Sequence, residues 1–379
     1  MKKTLSTLIA IIFCTVLHAQ IIDDSAPLQK CSHKSLQGNI PFKIAQQSAL
    51  MNKYDVKFYW LDISLERTST NISGNVTINA VVQTAPLDTF AVELVSQLIV
   101  DSAKINGIIR PAVQSAGNVF IIPASPIAIG NSISVQIFYH GTPPSGGFFS
   151  GISHATSGSW GNEVVWTLSE PFNANQWWPC KQDLTDKADS SWVFVTTSNT
   201  NKVGSNGILT NIATVAGNKS RYEWKSKYPI DYYLISVAVA KYVDHTIYCH
   251  PGGTTDSVMI QNYIYDNPAT LPNFQSIIDS TAQMIELYSQ LYGMYPFKNE
   301  KYGHSMAPIS GGMEHQTMTT LGYFDFALIC HELGHLNGAP GSDGVDSSTI
   351  EKHSAEMSVR TCRMMSLGGP YMDTYVEGI

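Results

Sequence analysis

Charge is scarce in this chain. Only 14 % of its 379 residues are Asp, Glu, Lys or Arg, the formal net charge is −7, and beyond Lys2-Lys3 there is no run of basic residues. A nucleic-acid footprint or a polybasic membrane patch needs clustered cations, so neither kind of partner is expected. Long apolar runs are missing as well: the stretch Leu8 to Leu17 is about half the ~20 residues that a bilayer-spanning helix requires, and no later stretch is longer. Lying between Met1-Lys2-Lys3 and the small-residue end Leu17-His18-Ala19, it reads as an export signal over 1–19, with bulky Phe13 ahead of Cys14 arguing against a lipid-modified cysteine. The mature chain is then expected to be secreted or periplasmic, with no transmembrane segment. Cysteine is sparse too. Cys31, Cys180, Cys249, Cys330 and Cys362 follow the signal, odd in number and without C-x-x-C spacing, which excludes a disulfide framework. Cys180 and Cys330 read as small buried hydrophobes, leaving one bridge open among the others.

What is abundant is apolar surface, 44 % of residues, enough for two buried cores. From Tyr54 to Ala240 the hydrophobic period is two, clearest at Val76, Ile78, Ala80 and Val82 against Thr77 and Asn79. Strands are predicted over Tyr54 to Leu65, Val92 to Val100, Ser132 to Tyr139, Val164 to Leu168, Trp192 to Thr197 and Tyr232 to Ala240, separated by turn clusters such as Gly141 to Gly147. Near residue 270 the period becomes helical through Phe274, Ile277, Ile278, Met284, Ile285, Tyr288 and Leu291, with Gly293 and Pro296 as stop signals. A further helix is predicted where Phe326, Leu328 and Ile329 lead into His331. The fold class is α+β: an antiparallel β-sandwich or saddle at 51–244, after a leader at 20–50, and a domain with helices at 245–379.

His331-Glu332-Leu333-Gly334-His335 carries the most specific chemistry. Histidines four apart on a helix share one face, so both imidazoles can donate to one tetrahedral Zn²⁺, and Glu332 between them is placed to take a proton from an attacking water. Zinc is therefore the expected cofactor, with His331 and His335 as metal ligands and Glu332 as the catalytic residue.

Twenty positions upstream of His331 stands Gly311-Gly312-Met313-Glu314-His315. With it the chain resembles the aminopeptidase N family of zinc metallopeptidases, the gluzincins that carry G-x-M-E-N shortly before H-E-x-x-H; here His315 replaces the Asn. Glu170-Pro171-Phe172, Trp177-Trp178-Pro179-Cys180, Asp186-Lys187-Ala188 and Tyr295-Pro296-Phe297 resemble further family segments, in family order. The resemblance, covering about Tyr54 to His335, implies that 245–379 is the opening part of a thermolysin-like α/β catalytic domain. It also implies that peptides with a free N-terminus are the substrates and that Gly311, Gly312, Met313 and Glu314 bind them. A fixed carboxylate at Glu314 suits an α-ammonium and would obstruct the through-running chain of an endopeptidase. Trp177 and Trp178 read as packing rather than as a ligand surface.

The chain departs from the family after His335. The family's third ligand, a glutamate nineteen residues beyond the second histidine, falls on Ser354, and Leu336-Asn337-Gly338-Ala339-Pro340-Gly341 breaks the helix where an aromatic segment is expected. Gly341 also stands where a metzincin would carry its third histidine. Glu351, Glu356, Glu377 and His353 remain as alternative donors, with Glu351 already suited to a capping box begun by Ser348, and neither Tyr371 nor Tyr375 has the spacing of the family's transition-state tyrosine. No Trp or Phe follows His335, which points to a reading frame truncated or shifted near residue 336 and to a second reading, an inactive member whose β-domain folds or binds partners without hydrolysis.

Overall fold

A computed structural model describes residues 48–143, 150–253 and 255–338. The expected signal and most of the leader lie outside the described residues. A 3-10 turn, Ala49–Lys53, leads into an eight-stranded sheet whose spatial order is Ile208–Val215, Lys219–Ser226, Ser190–Ser198, Tyr54–Glu66, Ser69–Val82, Ser132–Gly141, Leu98–Ile105 and Ile108–Arg110. All its neighbours are antiparallel except Tyr54–Glu66 with Ser190–Ser198, which run parallel from Phe58 opposite Ser190 to Ser64 opposite Thr196. An all-antiparallel sheet was expected. Parallel neighbours need a long crossover, and here the connection holds most of the remaining β-strands of this half.

Alternation decides which face is buried. Val76, Ile78, Ala80 and Val82 are at most 2 % exposed, whereas Thr77 and Asn79 between them are half-buried on the other face. Against the inner face lie a four-stranded sheet (Lys202–Ser205, Val237–Ala240, Glu163–Leu168, Gly151–Thr156) and a three-stranded one (Phe90–Glu93, Asn118–Ile121, Ala112–Ser115). Trp177 and Trp178 are fully buried in this core: Trp178 meets Tyr59 edge-on at 4.7 Å, and the Trp177 indole N–H donates to Ser169 Oγ at 2.9 Å. Cys180, Cys249 and Cys330 are buried free thiols.

Two predicted strands are broken. Val92 to Val100 splits at a turn between Phe90–Glu93 and Leu98–Ile105, and Tyr232 to Ala240 begins with a 3-10 turn, Tyr232–Leu234, before Val237–Ala240. In the first the exposed pair Ser96-Gln97 makes the turn, and in the second apolar residues continue through the break, with Tyr232 buried and Tyr233 and Leu234 half-buried, so period alone does not reveal it.

Beyond Lys241 the chain enters a five-stranded mixed sheet, ordered Tyr242–Cys249, Val258–Tyr265, Lys301–Met306, Thr319–Leu321 and Gly312–Met313. Helix α1, Thr270–Leu291, follows the predicted period, burying Ile278, Met284, Ile285 and Tyr288 and stopping before Gly293 at φ 103°. It covers one face of this sheet, and the β-rich half meets the other through Trp224 against Tyr263 at 6.3 Å and Glu300 Oε1 accepting from Lys227 N–H at 2.6 Å. Covered on both faces, every residue of Lys301–Met306 is buried, including a lysine and a histidine. No helix among the described residues is long and apolar enough to cross a membrane.

Trp178→Ala should destabilise the β-rich half by about 3–5 kcal/mol, the usual cost of emptying a large aromatic site. Urea denaturation followed by far-ultraviolet circular dichroism measures it.

Candidate metal and peptide site

Helix α2, Phe326–Gly338, starts at Asp325, whose Oδ1 accepts from Ala327 N–H at 3.1 Å and Leu328 N–H at 3.2 Å, the bonding of an N-cap. Leu328, Ile329, Cys330, Leu333 and Leu336 are all buried, and the Tyr288 hydroxyl of α1 donates to Cys330 O at 2.7 Å. The helix is thus locked from two sides. One turn brings His331 and His335 together with their Nε2 atoms 3.1 Å apart and their rings nearly perpendicular at 84°. Both are almost fully buried.

Two imidazole nitrogens that each sit at 2.0–2.1 Å from a tetrahedral zinc are about 3.3–3.4 Å apart. The observed 3.1 Å separation fits a shared ion with little adjustment. Among the described residues no third His, Cys, Asp or Glu joins this pair. Glu351, His353, Glu356 and Glu377 lie outside the described residues, as do Ser354, Tyr371 and Tyr375.

Glu332 is fully buried between the histidines and packs on the strand Gly312–Met313. A Cβ on Gly312 would lie 2.4 Å from Glu332 Oε1 and 2.9 Å from its Cγ, so a side chain here would push this carboxylate out of its present position. Gly312, expected from sequence to bind peptide, also lies against Glu332. Gly312 and Met313 pair antiparallel with Leu321 and Thr320, Gly311 O accepts from Gly322 N–H at 2.9 Å, and Met313 is buried. Gly312–Met313 is the last strand of its sheet among the described residues, which leaves one edge for an added strand.

Glu314 follows that strand and is 8 % exposed. Its neighbourhood includes Tyr233: burial foremost, then the negative charges of Glu314, Asp231 and Glu170, hold that phenol well above its ordinary pKa. Glu170, from the β-rich half, is itself buried. That Glu170 and Glu314, 144 positions apart in sequence, both bear on Tyr233 has no local signal in the sequence.

His315 follows Glu314 directly. Fully buried, with Nδ1 2.8 Å from Thr320 Oγ1, it has its pKa driven down to about 4 by burial, against an opposing pull from Glu314. His304, on the central strand, has its pKa lowered to about 3 by burial and by Lys301.

No protein-family model matches this chain, and no curated protein matches it. Solved structures do. The M1 zinc metallopeptidase of Deinococcus radiodurans is similar at 24 % identity with a TM-score of 0.63, and a variant of it holding the tripeptide Tyr-Ser-Ala as substrate at 23 % and 0.63. A two-domain M1 zinc metallopeptidase variant bound to L-tryptophan is similar at 24 % and 0.63. In each case 75 % of this chain is covered and 64 % of the other, so this chain spans under two thirds of those structures. The shared feature is the fold.

Because both buried imidazoles are neutral when folded, while an unfolded histidine takes a proton near pH 6.5, stability should fall as pH drops from about 6.5 towards 4, by on the order of 3 kcal/mol for each. His315→Asn removes one of the two. Thermal melts at pH 7.5 and 5.0 should show a smaller loss of Tm in that variant than in the wild type.

Proposed function

We propose that this chain is an exported zinc aminopeptidase of the M1 type, with 51–244 as its β-domain and 245–379 as the opening of its catalytic domain. The observation that carries the proposal is the packing of Glu332, flanked by two convergent imidazoles, against the Gly312 edge strand that leads to Glu314. His331 and His335 would hold the Zn²⁺, which when bound supplies Lewis-acid polarisation of a peptide carbonyl. Glu332, held at a fixed height by Gly312, takes a proton from the attacking water and returns it to the leaving amine. The free edge of Gly312–Met313 receives an extended peptide by backbone pairing. Glu314, with Glu170 across from it, binds the α-ammonium and limits entry to one residue. A peptide blocked at its amino end has no charge to offer these carboxylates.

The coordination by two histidines favours a second reading, a protein that folds around its β-domain and binds partners without hydrolysis, because two protein ligands hold zinc weakly and orient it poorly. Elemental analysis of the purified full chain separates the two: about one zinc per chain supports the enzyme, and zinc-free folded protein supports the alternative.

With zinc bound, Glu332→Gln should keep the metal and lose aminoacyl-anilide hydrolysis by at least ~10³-fold, on the scale of lost general-base catalysis. The wild type should cleave the free anilide and leave its N-acetylated form intact. Turnover of both, or an unimpaired Gln variant, would contradict the roles given to Glu314 and Glu332.

A further inference from the structure

The turn that carries Glu314 is held by more than its own sheet. Three residues on, Thr317 adopts φ 64°, a left-handed conformation that β-branched residues rarely take and that needs outside support. The support comes from the β-rich half. Thr317 Oγ1 accepts from Gly207 N–H at 2.7 Å, and Gln316 O accepts from Asn206 Nδ2 at 2.6 Å. Thr317 O accepts from Lys301 Nζ at 2.7 Å, and the same ammonium reaches Ser205 O at 3.3 Å.

Lys301 and Asn206 are unusual tenants of a seam. Lys301 is fully buried, lies over the Trp224 ring at 5.1 Å, and among the described residues has no carboxylate within 4.0 Å of its nitrogen. Burial lowers its pKa to about 7. An apolar side chain would fill this space without that desolvation, but would leave the Ser205 and Thr317 carbonyls without the donor that spans them. Asn206, 1 % exposed, also donates to Leu234 O at 2.9 Å and accepts from Ser236 N–H at 2.8 Å. One amide therefore ties the segment beside Tyr233 to the segment beside Glu314.

We propose that Asn206 and Lys301 are positioning residues that clamp the 314–318 turn to the β-rich half. They set the spacing between Glu314 and the Glu170–Tyr233 wall, so that the pocket for a primary ammonium group is assembled across the seam. This rests on the reading of Glu314 as an ammonium ligand. Neither residue touches the bound amine; both act through the backbone of the turn. A slackened clamp lets Glu314 drift from its partner wall and weakens amine recognition, while contacts to the rest of a ligand persist.

The test is calorimetric binding of L-leucinamide and of its des-amino analogue, 4-methylpentanamide, to the zinc-loaded full chain. The wild type should prefer the amine. Lys301→Met and Asn206→Ala should each weaken leucinamide by roughly tenfold, the scale of a lost charge-assisted contact, and leave the analogue within about twofold. Lys301→Arg, which keeps a cation and several donors, should recover part of the preference. Thr317→Val deletes a single bond at unchanged shape and should reduce the preference several-fold, which keeps the test open if the methionine variant does not fold. Variants that retain the full wild-type preference overturn the clamp alone. A wild type that binds both compounds equally, or neither, overturns the reading of Glu314 and the clamp with it.

Discussion

The contact between Glu332 and Gly312 is the constraint on which the site depends. A carboxylate on a helix and the backbone of a sheet edge approach so closely that a methyl group between them would displace the carboxylate. That contact fixes the depth of α2 relative to the strand and the height of Glu332 above it. It also determines where the two imidazoles stand relative to the turn that continues into Glu314. Asp325 at the start of α2 and Tyr288 beneath its middle remove the remaining freedom to slide or rotate.

A second constraint acts at right angles to the first. The central strand Lys301–Met306 is buried on both faces, so whatever polarity it carries must be satisfied inside the protein. Lys301 and the neighbouring Glu300 do this by reaching into the β-rich half, to Ser205 O and to Ser226 and Lys227. The two halves are therefore joined by buried polar bonds as well as by aromatic packing such as Trp224 on Tyr263. Buried polar contacts have strict geometry, whereas apolar ones tolerate sliding.

Much of this architecture was legible in the sequence. The alternation of Val76 to Val82 located the inner face of the large sheet, and the 3.6-residue period from Phe274 to Leu291 located α1, because each pattern is local and its burial is complete. The break at Tyr232–Leu234 was not legible, since its residues are apolar and at least half-buried, and the one at 94–97 is only a short polar interruption, Ser96-Gln97, between apolar residues. Two further strands were missed: Ile208–Val215 lies at the sheet's edge with no fully buried residue and no regular alternation, and Lys219–Ser226 is polar apart from Tyr222 and Trp224.

The spacing of His331 and His335 by itself determined that two imidazoles would share a helix face, because the helical repeat leaves them no other arrangement. Composition likewise pointed to a globular chain with enough apolar residues for an extensive buried core. Only the tertiary structure decided that Gly312 lies against Glu332, that Glu170 and Glu314 both bear on Tyr233, and that Lys301 and Asn206 bind the Glu314 turn to the other half. Each of these pairs residues far apart in the chain, and their meeting follows from how sheets pack and cross over, a property that no local pattern encodes.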